Sequence, residues 1–320
     1  MVASTWPKTL QQAIVYFADP AVAHAEMVKF RWPDGVVRCP QCGSDKVWFT
    51  ASRKVWQCAE GNHPRRQFSV KVGSIMEDSA LGIDKWLVAV WLISSAKNGI
   101  SSYELGRDIG ITQKSAWFML HRIRLAMQSE EGGTIGGDVE VDETFIGGKA
   151  RNMHREKRDR VIKGTGGMGK VAVMGLLARH SKDGHSKVRV SVVENRRKTA
   201  LQAHVRENVR RGAHVYTDEL LSYDGLSADY IHNVIVHAER YVDGQVHTNA
   251  MENFWSLLKR ALKGTYVSVE PFHLFRYLDE QAFRFNTRKM SDAARFAVTA
   301  AAAFGKRLTF NQLTAADTTC

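Results

Sequence analysis

The sequence predicts a mixed α/β domain behind two smaller modules, one cysteine-rich and one helical. Three observations carry this prediction. Strand-like and helical runs follow one another through the second half of the chain, three of the four cysteines crowd between Cys39 and Cys58, and Ile83 to Gln128 has helical spacing broken by turn residues. These changes of character divide the chain into a helical lead (1–35), a cysteine module (36–80), a helical region (81–131), an α/β domain (132–290) and a C-terminal helix with a flexible tail (291–320).

The charge balance narrows the function. Across 320 residues, 45 Lys and Arg stand against 33 Asp and Glu, a formal net charge of +12, which points to a polyanionic partner, nucleic acid before anionic membrane. The longest apolar run, Trp86 to Ser94, falls well short of the roughly 18 residues a membrane-spanning helix needs, and "MVASTWPKTLQQ" has no signal-peptide core. A cytoplasmic protein is expected.

The lead, "TLQQAIVYFADPAVAHAEMVKFRW", reads as helix, and the short β-prone runs "KVWFT" and "KVWQC" follow. Around them Cys39, Cys42, Cys58 and His63 have the spacing C-x2-C-x15-C-x4-H. Thiolate and imidazole suit tetrahedral Zn²⁺, and two residues between paired cysteines let one turn supply two ligands. His63 fits the spacing as the candidate fourth ligand, although no second close cysteine pair accompanies it, and such a zinc is structural, a full tetrahedron leaving no open position. Arg65, Arg66, Lys71 and Lys54 around it are candidate phosphate contacts.

"SSYELGRDIGITQKSAWFMLHRIRLAMQ" carries the punctuation of a helix-turn-helix: Ser101 as a cap with Glu104, Gly110 at the turn, and Thr112 as the next cap. Leu105, Ile109, Ile111, Leu120 and Ile123 form its core. The second helix is then expected to show Gln113, Lys114, Ser115, His121, Arg122 and Arg124 to solvent, with Lys114, Arg122 and Arg124 reaching DNA. A plain helical bundle gives the same pattern.

"GGTIGGD" breaks the chain before the α/β domain. "VEVDETFIG", "KVAVMGLLARH" and "KVRVSVVEN" read as a strand meander, and "KTALQAHVRENVRR", "AHVYTD", "YIHNVIVH" and "HTNAMENFWSLLKR" as helix, strand, strand and helix. In the last of these, Met251, Phe254, Trp255, Leu258 and Leu262 share one helical face, and Asn249, Glu252, Ser256, Lys259 and Lys263 the other. Two readings of Glu252 stay open, a capping box with Asn249 as N-cap, or a functional acid. Asp142 closes "VEV" and Asp218 closes "HVY", and acids at strand ends of an α/β sheet gather in one crevice, where divalent cations offset their repulsion. Glu143, Glu219, Asp138 and Asp224 are neighbouring alternatives. The run "GTGGMGKV" imitates a phosphate-binding loop, but Val171 replaces the metal-binding hydroxyl and a strand follows where a helix belongs.

Together "RCPQCG…WQC…RQFSVKVGSIM", "VDETFIGGK", "YTDE" and "HTNAMENFWSLLKRALKGTY" resemble bacterial insertion-sequence transposases of the DDE type with an N-terminal zinc ribbon, over roughly Phe30 to Asn286. The resemblance implies an RNase H-like catalytic domain with a mixed sheet and flanking helices. It implies Asp142, Asp218 and Glu252 as the catalytic acids binding two Mg²⁺ or Mn²⁺ ions, with Asn249 as the signature Asn. It also implies Lys259, and Arg260 beside it, as contacts to the element end.

By that likeness the protein cleaves at terminal inverted repeats, joins the freed ends to target DNA, works as a dimer or larger assembly, and acts at the nucleoid. His63 departs from the family pattern, which has a second cysteine there. The basic segment "GGKARNMHREKRDRVIKGTGGMGK" reads as a loop gripping phosphates, or as a plain solvated loop. Two other functions fit part of the pattern: a zinc-ribbon and helix-turn-helix regulator with an inactive α/β domain, and a structure-specific nuclease on the same fold.

Overall fold

The computed structural model divides the chain into two units, residues 1–128 with 287–320, and residues 129–286. It describes residues 6–128, 132–148, 154–156, 159, 169–181, 184–194, 197–218, 220–234 and 248–315. Most of the basic segment from Gly147 to Lys170, with its G-x-x-x-x-G-K run, lies outside the described residues, as do Glu219, His247 and the Cys320 tail. Among the described residues no helix is long and apolar enough to cross a membrane.

In the first unit the helical lead forms α1 (Leu10–Phe17) and α2 (Pro20–Arg31), parted where Asp19 caps α2 and Pro20 occupies its first turn. The cysteine module is an antiparallel sheet of β1 (Val47–Thr50), β2 (Val55–Cys58) and β3 (Gln67–Phe68), in that order. Then come α3 (Ile83–Ser95), α4 (Ser102–Asp108) and α5 (Gln113–Met127). The punctuation read from sequence is present: Ser101 Oγ accepts from Glu104 N, Gly110 has φ +63°, and Thr112 Oγ1 accepts from Ser115 N.

The C-terminal segment is no appendage to this unit. The helix Asp292–Ala301 carries Phe296 into the core, 5.0 Å from Trp91 and 5.4 Å from Phe17 between ring centroids. Its sequence, "DAARFAVTAA", gave no sign of which module would receive its apolar face.

The second unit holds one mixed sheet. Strands β4 (Asp138–Ile146), β5 (Val171–Ala178) and β6 (Lys187–Val193) form the antiparallel meander. Helix α6 (Lys198–Asn208) leads to β7 (His214–Thr217), parallel to β4, and β8 (Ile231–Val234) runs parallel to β7. The order is β6-β5-β4-β7-β8. One face buries Val139, Val141, Met174 and Leu176 with Leu201 and Val205 of α6. The other buries Val173 and Leu177 under Met251, Phe254, Trp255 and Leu258 of α7 (Asn249–Ala261), and under Leu274 and Leu278 of α8 (Leu274–Asn286). The alternation of a strand and the stripe of a helix thus fix which side chains of β4 face α7.

Candidate active site and zinc site

The face of β4 under α7 carries Asp138, Glu140 and Asp142, because side chains two apart share a face. Asp142 does not close its strand, as the sequence reading expects. The strand runs on to Ile146, paired along its length with β5. What ends near Asp142 is the pairing with β7, whose last register pair is Glu140 with Tyr216. Two residues further along each strand stand Asp142 and Asp218, so the parallel register sets the two carboxylates on neighbouring strands at one level.

The ends of both strands are fixed locally. Leu220 N–H donates to Asp218 Oδ1 (3.1 Å), and the buried Thr217 hydroxyl donates to Asp218 O and lies 2.9 Å from His232 Nε2. Asp142 accepts from its neighbour's backbone, Glu143 N–H to Oδ1 at 2.8 Å, and from the indole of α7, Trp255 Nε1 to Oδ2 at 2.9 Å. Burial pushes the Asp142 carboxyl up to about 6, the charges of Glu143 and Asp218 add to the rise, and the two donated bonds oppose it. On the opposite face Tyr223 donates to Glu143 Oε2 (2.6 Å), and burial, then Glu143, hold its hydroxyl far above the usual phenol range.

Glu140 was not singled out in the sequence, yet it seats α7. Completely buried, it pairs with Arg179 (Oε1 to Nε, 2.8 Å) and accepts from Met251 N–H through Oε2 (2.9 Å). The N-cap of α7 is Thr248, whose side chain makes no capping bond, so a strand carboxylate satisfies the orphan donor of the first turn. This overturns the capping box. Asn249 is the first helical residue rather than the cap, which moves Glu252 one position too far along to reach back, and Glu252 N–H instead bonds Thr248 O. Glu252 is exposed on the helix. Beneath α7, β5 has Gly175 opposite Asp142, and a Cβ there would lie 2.3 Å from Met251 Cε and 2.8 Å from Trp255 Cζ2. A larger residue would lift the helix from the sheet.

Hard carboxylate oxygens gathered at the cost of a raised Asp142 pKa suit a divalent cation. Asp142 and Asp218 are together electrostatically. Glu252 is not drawn in with them: among the described residues the one close group of three or more possible ligands is Cys39, Cys42, Cys58 and His63.

That group is the predicted cluster, and all four ligand atoms lie within 4.8 Å of one another. Cys39 Sγ is 3.4 Å from His63 Nε2, and Cys42 Sγ is 3.6 Å from Cys58 Sγ. Ligands on a zinc tetrahedron stand roughly 3.5–3.8 Å apart, given bonds of about 2.0–2.3 Å, so the site fits structural zinc with His63 as fourth ligand. Gly43, at φ +75°, closes the knuckle by donating to Cys39 O.

The expected DNA contacts divide. Lys114, Arg65, Lys259 and Arg260 are exposed. Lys114 rests its ammonium over the Phe310 ring, and the exposed Arg66 is bonded to Cys58 O and Ala59 O. Arg122, Arg124 and His121 are 5%, 1% and 0% exposed, so the expectation that they face solvent fails. For Arg122 the C-terminal segment contributes: the guanidinium donates to Leu308 O and to Glu77 O and lies over Phe118. The helical spacing of α5 could not show that a segment far along the chain would bond Arg122.

The chain combines a zinc-ribbon-like module with a mixed α/β domain that carries paired carboxylates, and comparison with known proteins gives the family. Residues 134–286 match the ISXO2-like transposase domain, and residues 19–63 the transposase zinc-ribbon domain. A protein in transposable element ISH50 of Halobacterium salinarum is 28% identical over 245 residues, covering 74% of this chain and 81% of the relative. A transposase-like protein of Haemophilus influenzae is 32% identical over 105 residues, 32% of this chain and 85% of the relative. The chain belongs to the insertion-sequence transposases that carry a zinc ribbon and an ISXO2-like transposase domain.

Proposed function

We propose that the protein binds the terminal inverted repeats of its own insertion sequence, cuts the DNA there and transfers the freed ends to target DNA, using an RNase H-like domain with Asp142, Asp218 and Glu252 as catalytic acids. The observation that carries this is the β4–β7 register, which puts Asp142 and Asp218 at one level of neighbouring strands, on the sheet face that α7 covers. A sheet ordered β6-β5-β4-β7-β8, with an antiparallel meander and two further parallel strands, supports the fold.

Two Mg²⁺ or Mn²⁺ ions, when bound, supply activation of the attacking water or 3′-hydroxyl and stabilisation of the leaving oxygen. The chain's residues prepare that site. Trp255 and the Glu143 N–H hold Asp142 in one orientation, and Glu140 with Arg179 holds the first turn of α7, placing Glu252 one residue beyond the bonded Met251. Exposed Asn249 lies one turn before Glu252 on α7 as the signature Asn, and Lys259, Arg260, Lys114 and Arg65 grip phosphates. Joining two ends requires at least two copies. Such a protein works at the nucleoid, in the cytoplasm.

The test uses duplexes cut from the inverted repeats flanking the gene, with Mg²⁺ or Mn²⁺. Cleavage at the repeat followed by joined products supports transposition. Cleavage without joining indicates a structure-specific nuclease, and selective binding without cleavage a regulator.

A further inference from the structure

The zinc ribbon has two unlike faces. Phe49, Trp56 and Phe68 stand in register across β1, β2 and β3, with ring centroids 4.8 Å and 5.9 Å apart, and His24 and Trp32 pack against Trp56. Trp56 and Phe68 of that row are buried, and Phe49, 45% exposed, lies at its edge. The adjacent register pairs, Trp48 with Gln57 and Gln57 with Gln67, therefore point to the other face. There Trp48 is 49% exposed, Gln67 is exposed, and Gln67 Nε2 donates to Gln57 Oε1 at 3.2 Å.

A large aromatic half in water is costly, and Trp48 stands on the same face as the two glutamines. The two amides, bonded to each other, leave the Gln57 N–H groups as donors and the Gln67 carbonyl as an acceptor. That pair of groups matches the N7 acceptor and N6 donor of adenine, while an apolar ring meets the thymine methyl. Three side chains on adjacent strands span roughly 10 Å, which a major groove about 12 Å wide admits. The surrounding charge is complementary: between residues 44 and 67 five Lys or Arg stand against two acids.

We infer that the Trp48–Gln57–Gln67 row is a base-reading surface that lies in the major groove of duplex DNA at an A·T pair of the element end, with Arg53 and Arg65 on the flanking phosphates. The inference rests on the proposed role in binding element ends and names the residues that read sequence there. Phosphate contacts position the protein, and this row supplies information that phosphates lack.

The experiment compares full-length wild type with Trp48→Ala and with Gln57→Ala/Gln67→Ala, after confirming unchanged zinc content and circular dichroism. Kd is measured for a terminal-repeat duplex and a scrambled duplex of equal length over a salt series. Both variants should lose about tenfold for the repeat, hold within about twofold for the scrambled duplex, and keep the salt slope. Arg65→Ala should weaken both duplexes and flatten the slope. Replacing thymine by uracil in the repeat should weaken wild type but not Trp48→Ala.

A repeat-to-scrambled ratio within about twofold of wild type in both variants, or equal losses on both duplexes, overturns the inference and leaves end binding intact. Preference of the wild type for the single strand over the duplex overturns the groove placement. A wild type that never discriminates the repeat removes the end-binding reading and this surface with it.

Discussion

Trp255 of α7 donates its indole N–H to Asp142 of β4 at 2.9 Å, so the helix that carries Glu252 grips the first acid of the site directly. The bond explains why an aromatic with a polar edge stands where the helix needs only bulk. Trp255→Phe keeps most of the ring and removes the donor. Cleavage should fall about 10- to 100-fold, with a higher Mg²⁺ concentration needed for half-maximal rate and a stability loss in urea of only about 1–2 kcal/mol. Cleavage kinetics across a Mg²⁺ series check it, and a wild-type Mg²⁺ dependence would deny the bond any role.

Gly175→Ala should disturb the same contact from beneath. The added methyl would meet Met251 Cε and the Trp255 ring too closely; the flexible end of Met251 can swing aside, but the indole, bonded to Asp142, has to shift. A loss of about 1–3 kcal/mol in urea unfolding is expected, together with reduced cleavage.

The raised Asp142 carboxyl makes a prediction for the metal-free protein. Its folded pKa of about 6 lies above the unfolded value near 3.9, so the folded state holds the proton more tightly. Stability from this group is full below about pH 4 and falls as pH rises towards 6, by a few kcal/mol in all. At pH 7.5 without divalent metal, Asp142→Asn should therefore melt higher than wild type. Added Mg²⁺ should raise the melting temperature of wild type and leave Asp142→Asn nearly unmoved. Differential scanning calorimetry reads both, and a lower melting point for the metal-free variant would contradict the account.

Purified protein should contain one equivalent of zinc, lost on Cys42→Ser. His63→Ala should retain zinc less well against a chelator, since its Nε2 lies 3.4 Å from Cys39 Sγ. Elemental analysis settles both, and unchanged retention would remove His63 alone.

Much of this was legible in the sequence because it depends on local periodicity. The meander, α6, the caps at Ser101 and Thr112, the apolar stripe of α7 and the cysteine spacing all repeat within a few residues. What was not legible depends on contacts far apart in the chain. Glu140 reads as one polar residue in "VEV", and only the arrival of Arg179 and Met251 makes it a buried anchor. Arg122 and Arg124 look like a basic helical face, yet both are buried, and Arg122 bonds Leu308 O of the C-terminal segment. The capping box failed by one position, at Thr248, because strand β4 supplied the cap.

The central claim is that Asp142, Asp218 and Glu252 act as one site, although the structure gathers only the first two closely. The most direct measurement is metal-dependent cleavage of the terminal repeat by Glu252→Gln, which keeps size and helix propensity and removes the charge. The account predicts that cleavage is abolished while folding and repeat binding stay near wild type, that Asp142→Asn and Asp218→Asn match the loss, and that Asp138→Asn and Asp224→Asn do not. Strand transfer by Glu252→Gln within about tenfold of wild type, a barrier change of only about 1.4 kcal/mol, would contradict it.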